Sequence, residues 1–250
     1  IEKINESIRN MHILILGVNE LTEVLLKHIA NDMTLCLKAN TKVSIMDKAV
    51  DSKMEAILDK NEGLKNALNL KAIDIGSSRN SLQEGLTKIK NEGDLSLIFM
   101  MDEDVVKSLK YLKTLTGYFG NLPKVIRNVS NIDLSYVLPK NSDNILVFGD
   151  VSQIMTSDVM IRESLDARAK SFNDSYNKAV EMSGMGNGNN WNELSYVKRT
   201  SSRLSATHGK VKEEILRKIF FNNSDDEIRN YLSKKFEEFG ALQDLSLIHI

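Results

Sequence analysis

The feature that most constrains the fold of this chain is an uninterrupted apolar segment that begins at His12 and ends at Gly17. Its Ile and Leu residues do not alternate with polar ones, which is typical of a strand buried on both faces of a parallel sheet. Residues 19–31 follow with apolar side chains at spacings of three and four, as in a helix that packs one face against a sheet. The start of the chain therefore predicts a strand and its crossover helix.

The same alternation continues along the first part of the chain. Further strands are predicted at 42–46, 68–73, 95–101, 123–129 and 145–148, and further helices at 50–60, 79–91 and 103–115. Alternating strands and helices of these lengths favour right-handed crossover units. The predicted fold class is therefore α/β, with a doubly wound, mostly parallel, Rossmann-like sheet.

After Gly149 the pattern changes, because no buried strand can be found in the remaining residues. Helices are predicted at 156–182, 192–206, 210–220 and 225–239, with a Gly- and Asn-rich loop at 184–190. We therefore predict two domains, a Rossmann-like domain over 1–150 and a smaller all-helical domain over 151–250.

Charge and composition narrow the classes of function. The chain has 33 Lys and Arg against 34 Asp and Glu, a net charge of −1, which argues against DNA or RNA as a partner. A single cysteine, Cys36, favours a reducing, cytoplasmic compartment. The longest apolar run, 95–101, is too short to span a bilayer. Because the chain begins with Ile1 rather than Met, we expect it to belong to a longer protein, which leaves open a tether through an upstream membrane segment.

The loop after the first predicted strand carries part of a nucleotide-binding fingerprint. Gly17 stands where the first glycine of Gly-x-Gly-x-x-Gly is needed, but Asn19 and Thr22 occupy the places of the other two. Glu20 adds negative charge where a phosphate would lie, whereas Asp47 ends the second strand as a ribose-binding acid should. Two interpretations stay open: a pocket for a mononucleotide or dinucleotide, or a sheet domain that has lost its ligand.

The first part of the chain resembles the TrkA-N or RCK type of nucleotide-binding regulatory domain found in potassium-uptake and potassium-channel proteins. The resemblance covers roughly 10–130 and rests on element order, on Gly17 and Asp47, on Ile-Asp-Ile-Gly ending at Gly76, and on the segment 97–104. It implies that Gly17, Asn19, Asp47 and Gly76 bind NAD(H) or another nucleotide. The family usually has an acid after the glycine at 76, where this chain has Ser77.

The second part resembles the bacterial form of the ryanodine-receptor repeat domain, RyR, over about 157–220. The resemblance rests on Trp-Asn-Glu-Leu at 191–194 and on the Arg-, Ser- and His-containing segment 199–208. A TrkA-N-like domain followed by an RyR-like domain is a known bacterial combination.

The residues of this second motif also suggest a chemistry of their own. Trp191 could stack a base, while Arg199, Arg203 and His208 could contact phosphate, which would suit a nucleotide or a cyclic-nucleotide messenger. The alternative is that Trp191 is the largest core residue of a small helical domain and that the cations pair with nearby acids.

No catalytic or metal-binding constellation stands out in the sequence. The four histidines are scattered, and none has a partner at a spacing that specifies a nucleophile or a metal ligand. The acidic run 102–104 is better interpreted as the start of a helix. We therefore predict a non-enzymatic ligand sensor, assembled as a homo-oligomer, that controls an attached ion channel or membrane effector. The alternatives are a ligand-free oligomerisation scaffold and an NAD(P)-dependent enzyme.

Overall fold

A computed structural model describes residues 11–33, 41–76, 80–129, 132–138, 143–150, 152, 155–160, 163–184 and 188–219, with isolated positions at 224, 226–227 and 230. The chain divides into two compact units, Ile1–Thr156 and Ser157–Ile250. Within the described ranges, no helix is both long enough and apolar enough to cross a bilayer.

The first unit is built on a six-stranded sheet in which every neighbouring pair is parallel. Its strands are β1 His12–Leu16, β2 Lys42–Asp47, β3 Asn69–Asp74, β4 Leu97–Met100, β5 Lys124–Arg127 and β6 Ile145–Phe148. Their order is β3-β2-β1-β4-β5-β6, so the direction of winding reverses between β1 and β4. The predicted α/β parallel sheet of Rossmann-like type is confirmed, and the reversal is the place where ligands of such sheets bind.

Helices cover the sheet on both faces. They are α1 Glu20–Met33, α2 Val50–Lys60, α3 Leu64–Ala67, α4 Ser81–Asn91 and α5 Val105–Phe119, with a short 3-10 turn at Leu134–Tyr136. Alternate residues of β1 enter two separate apolar clusters: Ile13 and Ile15 pack with α1 and α2, whereas Leu14 and Leu16 pack with α4 and α5. Burial on both faces explains why polar residues do not alternate with apolar ones along β1.

Some predicted boundaries of the first unit are wrong by a few residues. The strand predicted at 95–101 is Leu97–Met100, although Leu95 and Met101 are themselves buried. Apolar residues in the turns that flank a strand therefore extended the predicted segment. The four-residue helix α3 was absent from the prediction, because so short an element has no recognisable periodicity.

The regular elements that the structure describes in the second unit are α-helices and 3-10 turns. Its elements are α6 Ser157–Met160, a 3-10 turn Ser164–Asp166, α7 Ala167–Met182, a 3-10 turn Trp191–Glu193 and α8 Tyr196–Ile219. The predicted helix 156–182 is wrong as a single element, since Glu163 has a left-handed backbone (φ 48°) and is followed by the 3-10 turn. The predicted helix 225–239 lies largely outside the described residues.

Two helices predicted at 192–206 and 210–220 form one continuous helix, α8, apart from the 3-10 turn that precedes it. Gly209 lies inside this helix, where one glycine costs only about 1 kcal/mol. A side chain at this position would also lie 3.1 Å from the Phe172 ring of α7, so the glycine allows α7 and α8 to approach closely.

The largest of the fully buried side chains in the first unit belongs to a lysine, Lys124 at the start of β5. Its Nζ donates hydrogen bonds of 2.8 Å to the carbonyl oxygens of Gly120 and Leu122, at the end of α5. Burial lowers the pKa of Lys124 below its ordinary value, because the charged form is poorly solvated there. The carbonyl end of the helix partly compensates for that lost solvation.

A lysine whose pKa is lower in the folded than in the unfolded state binds fewer protons when folded. The free energy of unfolding of the wild type, relative to Lys124→Met, should therefore rise as the pH increases toward the ordinary lysine pKa of 10.5. Urea unfolding of both proteins at neutral and at alkaline pH measures this difference. A difference that stays constant or falls would contradict the assignment.

Candidate functional site

The carboxyl edge of the sheet begins with a close approach between the loop after β1 and the end of β4. Gly17 has a backbone φ of 94°, and a Cβ atom there would lie only 3.0 Å from the backbone nitrogen of Asp102. Gly17 also donates a hydrogen bond of 2.9 Å to the carbonyl oxygen of Met46 on β2. A side chain at this position would separate β1 from β4, so the glycine is required by the backbone itself.

Asp47, at the end of β2, points its carboxylate toward this loop. One oxygen, Oδ2, accepts hydrogen bonds from the Val18 amide (2.9 Å) and from Lys53 Nζ (2.5 Å), and Oδ1 accepts one from the Lys48 amide (2.8 Å). The residue is only 7% exposed. Burial by itself raises the pKa of Asp47, but hydrogen bonds from Lys53, Val18 and Lys48 outweigh it and hold the pKa below its usual value. Asp47 is therefore an ionised acceptor, and Oδ1 keeps a lone pair for a further donor.

The side chain of Asn19 forms hydrogen bonds across the loop after β1, at a position where the nucleotide-binding fingerprint has a glycine and no side chain. Its Oδ1 accepts a hydrogen bond from the Thr22 amide (3.2 Å), and its Nδ2 donates one of 2.7 Å to the carbonyl oxygen of Met101 beyond β4. Thr22 Oγ1 in turn donates to the Gly17 carbonyl (2.9 Å). The side chains at the two substituted glycine positions thus cap α1 and join the loop to β4. An Asn followed three residues later by Thr is a helix-start signal, and it is the sequence signal that could have predicted this role of Asn19.

Gly76 lies at the same edge of the sheet but beyond β2. It follows β3, the outermost strand, and its amide donates a hydrogen bond of 2.6 Å to Asp74 Oδ1. The adjacent Ile75 amide donates to the Asp47 carbonyl (3.1 Å). The structure thus places Gly76 near the strand that carries Asp47, and β2 separates it from Gly17.

A group of charged residues follows β4 and β5, and one of them, Arg127, was not among the predicted site residues. Arg127 ends β5, and its Nη1 lies 3.4 Å from the Met101 carbonyl oxygen and 3.3 Å from Glu103 Oε1. Asp102 forms an ion pair with Lys107. Asp104 caps α5 through the Val106 and Lys107 amides, which confirms the helix-start interpretation of the acidic run. The sequence signal that could have identified Arg127 as a site residue is its position at the end of an apolar strand.

The predicted residues of the second unit lie around one indole ring. Trp191 is 7% exposed and packs with Ala169, Leu194 and Ala206. The guanidinium carbons of Arg199 and Arg203 each lie 5.8 Å from the centroid of the ring. This geometry makes Trp191 a core residue that also carries two cation–π contacts.

The two arginines differ in their other partners. Arg203 donates two hydrogen bonds to Asp166, from Nε (2.7 Å) and Nη2 (2.6 Å), whereas Arg199 Nη2 donates to the Asn192 carbonyl (3.0 Å). The Arg199 Nε and the Trp191 Nε1 are buried without a hydrogen-bond partner. His208 lies further along α8 and is also buried.

The described residues also form a cavity of about 620 Å³ at the opposite, amino-terminal edge of the first unit. It is lined by Thr41, Leu58, Lys65, Asn66, Ala67, Leu68, Asn69 and Leu70. None of the residues predicted to bind a nucleotide lies in this lining. Within the part of the chain that the structure describes, no group of three His, Cys, Asp or Glu residues could hold a metal ion.

Comparisons with known proteins returned no match: no family model, no curated protein and no solved structure matches this chain.

Replacing Asp47 by Asn should lower the free energy of unfolding at neutral pH by about 1.5–3 kcal/mol, since hydrogen bonds to an ionised group are lost. Because the folded-state pKa of Asp47 is lowered, its contribution is present above the ordinary aspartate pKa of 3.8 and disappears as the pH falls below it. Urea unfolding at pH 7 and at acid pH measures the effect, and an equal cost at both would contradict it.

Replacing Trp191 by Ala should destabilise the second unit by about 3–5 kcal/mol, as expected for a large buried side chain. Tyr196→Ala is the matched control, because Tyr196 is 78% exposed and its loss should cost no more than about 0.5 kcal/mol. Denaturation followed by far-ultraviolet circular dichroism compares the two. Equal stability of both variants would show that Trp191 is not a core residue.

Proposed function

We propose that this chain is a non-enzymatic, ligand-sensing regulatory region whose first unit binds a nucleotide at the carboxyl edge of its sheet. The observation that carries the proposal is the state of Asp47: a buried, ionised carboxylate, fixed on the Val18 amide beside Gly17. It lies at the end of β2, one strand away from the point where the winding of the sheet reverses, and its remaining lone pair suits a ribose hydroxyl.

The closed loop restricts the kind of nucleotide. In a glycine-rich loop the first-turn amides of the helix receive the pyrophosphate. Here Asn19 already accepts the hydrogen bond of the Thr22 amide. We therefore expect the phosphate of the ligand to be bound away from the start of α1. NAD(H), adenine mononucleotides and cyclic nucleotides are the candidates to compare.

The same proposal includes a second ligand-binding site, in the second unit. Its resemblance to RyR domains and the two guanidinium groups beside Trp191 support binding of a nucleotide-derived messenger near Arg199, Arg203 and His208. The aromatic ring and the cations supply the two kinds of contact that such a ligand needs.

Sensing requires that the ligand bind one conformation better than another, so that binding shifts their populations. By its resemblance to potassium-uptake regulators, the region would act in the cytoplasm as a homo-oligomer. Its output would be an attached ion channel or another membrane effector, and neither DNA nor RNA would be a partner.

One observation favours a second candidate function, a ligand-free scaffold. The Asn19 Nδ2 and the Thr22 amide are donors that a phosphate could otherwise contact, and both already have acceptors within the protein. A domain that has kept its sheet but lost its ligand would have a loop whose polar groups hydrogen-bond within the protein.

Calorimetric titration of the whole chain with NAD, NADH, ATP, ADP, AMP and cyclic nucleotides separates the two candidates. We expect one of these to bind the wild type and to raise the free energy of unfolding by about 2.7 kcal/mol at a hundred times its dissociation constant. Asp47→Asn should weaken that binding at least tenfold. Asp74→Asn, which changes the carboxylate paired with Asp47 in the β2–β3 register, should leave it unchanged.

Three other outcomes have clear meanings. If no nucleotide binds the wild type, the scaffold becomes the better description. If binding is equally weakened by Asp74→Asn, the effect of Asp47 is one of general charge and not of contact. If binding survives Asp47→Asn but is lost in Trp191→Phe, the second unit holds the ligand.

A further inference from the structure

We propose that Arg127 recognises the anionic group of the ligand at the carboxyl edge, and that Glu103 occupies Arg127 until that group replaces it. This inference rests on the proposed nucleotide site and names the residue that would distinguish a nucleotide from a nucleoside. It also assigns a role to a cation that the nucleotide fingerprint does not contain.

Arg127 is a nearly buried cation whose hydrogen bonding is incomplete. Its side chain is only 12% exposed, and its Nε is buried without any hydrogen-bond partner. A Cβ atom at Gly149, the residue after β6, would lie 3.7 Å from Arg127 Cγ, so the neighbouring strand end packs closely against its stem. An unsatisfied buried donor of this kind is costly unless an acceptor is supplied.

The carboxylate that Arg127 now contacts is a poor partner. Glu103 Oε1 lies 3.3 Å from Nη1, and the Glu103 side chain is 71% exposed. By contrast, Arg203 of the second unit has two hydrogen bonds of 2.7 and 2.6 Å to Asp166. Strong arginine–carboxylate pairs are bidentate and short. The single long contact with Glu103 is therefore one that a phosphate could displace at little cost.

The position of Arg127 relative to Asp47 defines the ligand. Asp47 bonds to the Val18 amide beyond β1, and Arg127 Nη1 lies against the Met101 carbonyl beyond β4. Because β1 and β4 are neighbouring strands about 4.8 Å apart, the carboxylate and the guanidinium lie on opposite sides of the reversal point. A molecule with hydroxyl donors at one end and a phosphate at the other matches this arrangement, and a nucleoside phosphate is such a molecule.

Two other cations near this edge are already held more closely. Lys53 forms an ion pair of 2.5 Å with Asp47, and Lys107 pairs with Asp102. Asn19 has its Nδ2 on the Met101 carbonyl, the same acceptor that Arg127 approaches. A phosphate arriving at this point would therefore meet the Arg127 guanidinium, whose contact with Glu103 is 3.3 Å long, without displacing a short ion pair.

Calorimetric titration with adenosine and with ADP tests the inference in the whole chain. We expect the wild type to bind ADP at least tenfold more tightly than adenosine. Arg127→Met should bring the two affinities within about twofold of each other while leaving adenosine binding unchanged. Glu103→Gln should raise the affinity for ADP several-fold and leave adenosine unchanged, with Asp74→Asn as the control for loss of one negative charge at the same edge.

The outcomes separate this inference from the proposed function. If adenosine binding depends on Asp47 but the preference for ADP persists in Arg127→Met, the nucleotide site stands and the role of Arg127 is wrong. If neither compound binds the wild type, both proposals fail for adenine nucleotides. Should Arg127→Met not fold, Arg127→Gln keeps a polar side chain and removes the charge, and an unchanged preference for ADP in that variant would overturn the inference.

Discussion

The first unit depends on one close approach, that of the loop after β1 to the end of β4. β1 is hydrogen-bonded to β2 on one side and to β4 on the other, and its Leu16 carbonyl accepts a hydrogen bond of 2.8 Å from the Met101 amide. Only a glycine fits at position 17, where a Cβ atom would come within 3.0 Å of the Asp102 backbone. Because winding reverses between β1 and β4, the same contact fixes the ends of these two strands on the two sides of the reversal point.

The charges of this edge are arranged by that contact. Lys53 pairs with Asp47 and Lys107 with Asp102, so two carboxylates of this edge are already paired with cations inside the protein. The groups differ in the quality of their pairing, since Asp47 is ordered by backbone amides whereas Arg127 has only two long contacts, with the Met101 carbonyl and with an exposed glutamate. At such an edge, selectivity among ligands arises from the group whose hydrogen bonding is least complete in the free protein.

Local patterns in the sequence predicted the sheet and placed Gly17 and Asp47 at its carboxyl edge, because a strand buried on both faces has an unmistakable composition. They could not predict the hydrogen bond from Asn19 to Met101, which joins residues 82 positions apart. Arg127 was missed for the same reason, since its unsatisfied donor exists only in the packed structure. In the second unit the sequence predicted two helices, 192–206 and 210–220, whereas the structure has one continuous helix in which Gly209 packs closely against Phe172. Its relationship to RyR domains stays a prediction.

The uninterrupted course of α8 has a mechanical consequence. A helix of 24 residues is a rod about 36 Å long, and Arg199 and Arg203 lie near its first turns. If a ligand beside Trp191 tilted those turns by about 10°, the far end of the rod would move by roughly 6 Å, a displacement that follows from the helix length. Two separate helices joined by a hinge at Gly209 would have absorbed such a tilt. Because α8 is continuous through Gly209, a small rotation of its first turns would displace its distant end.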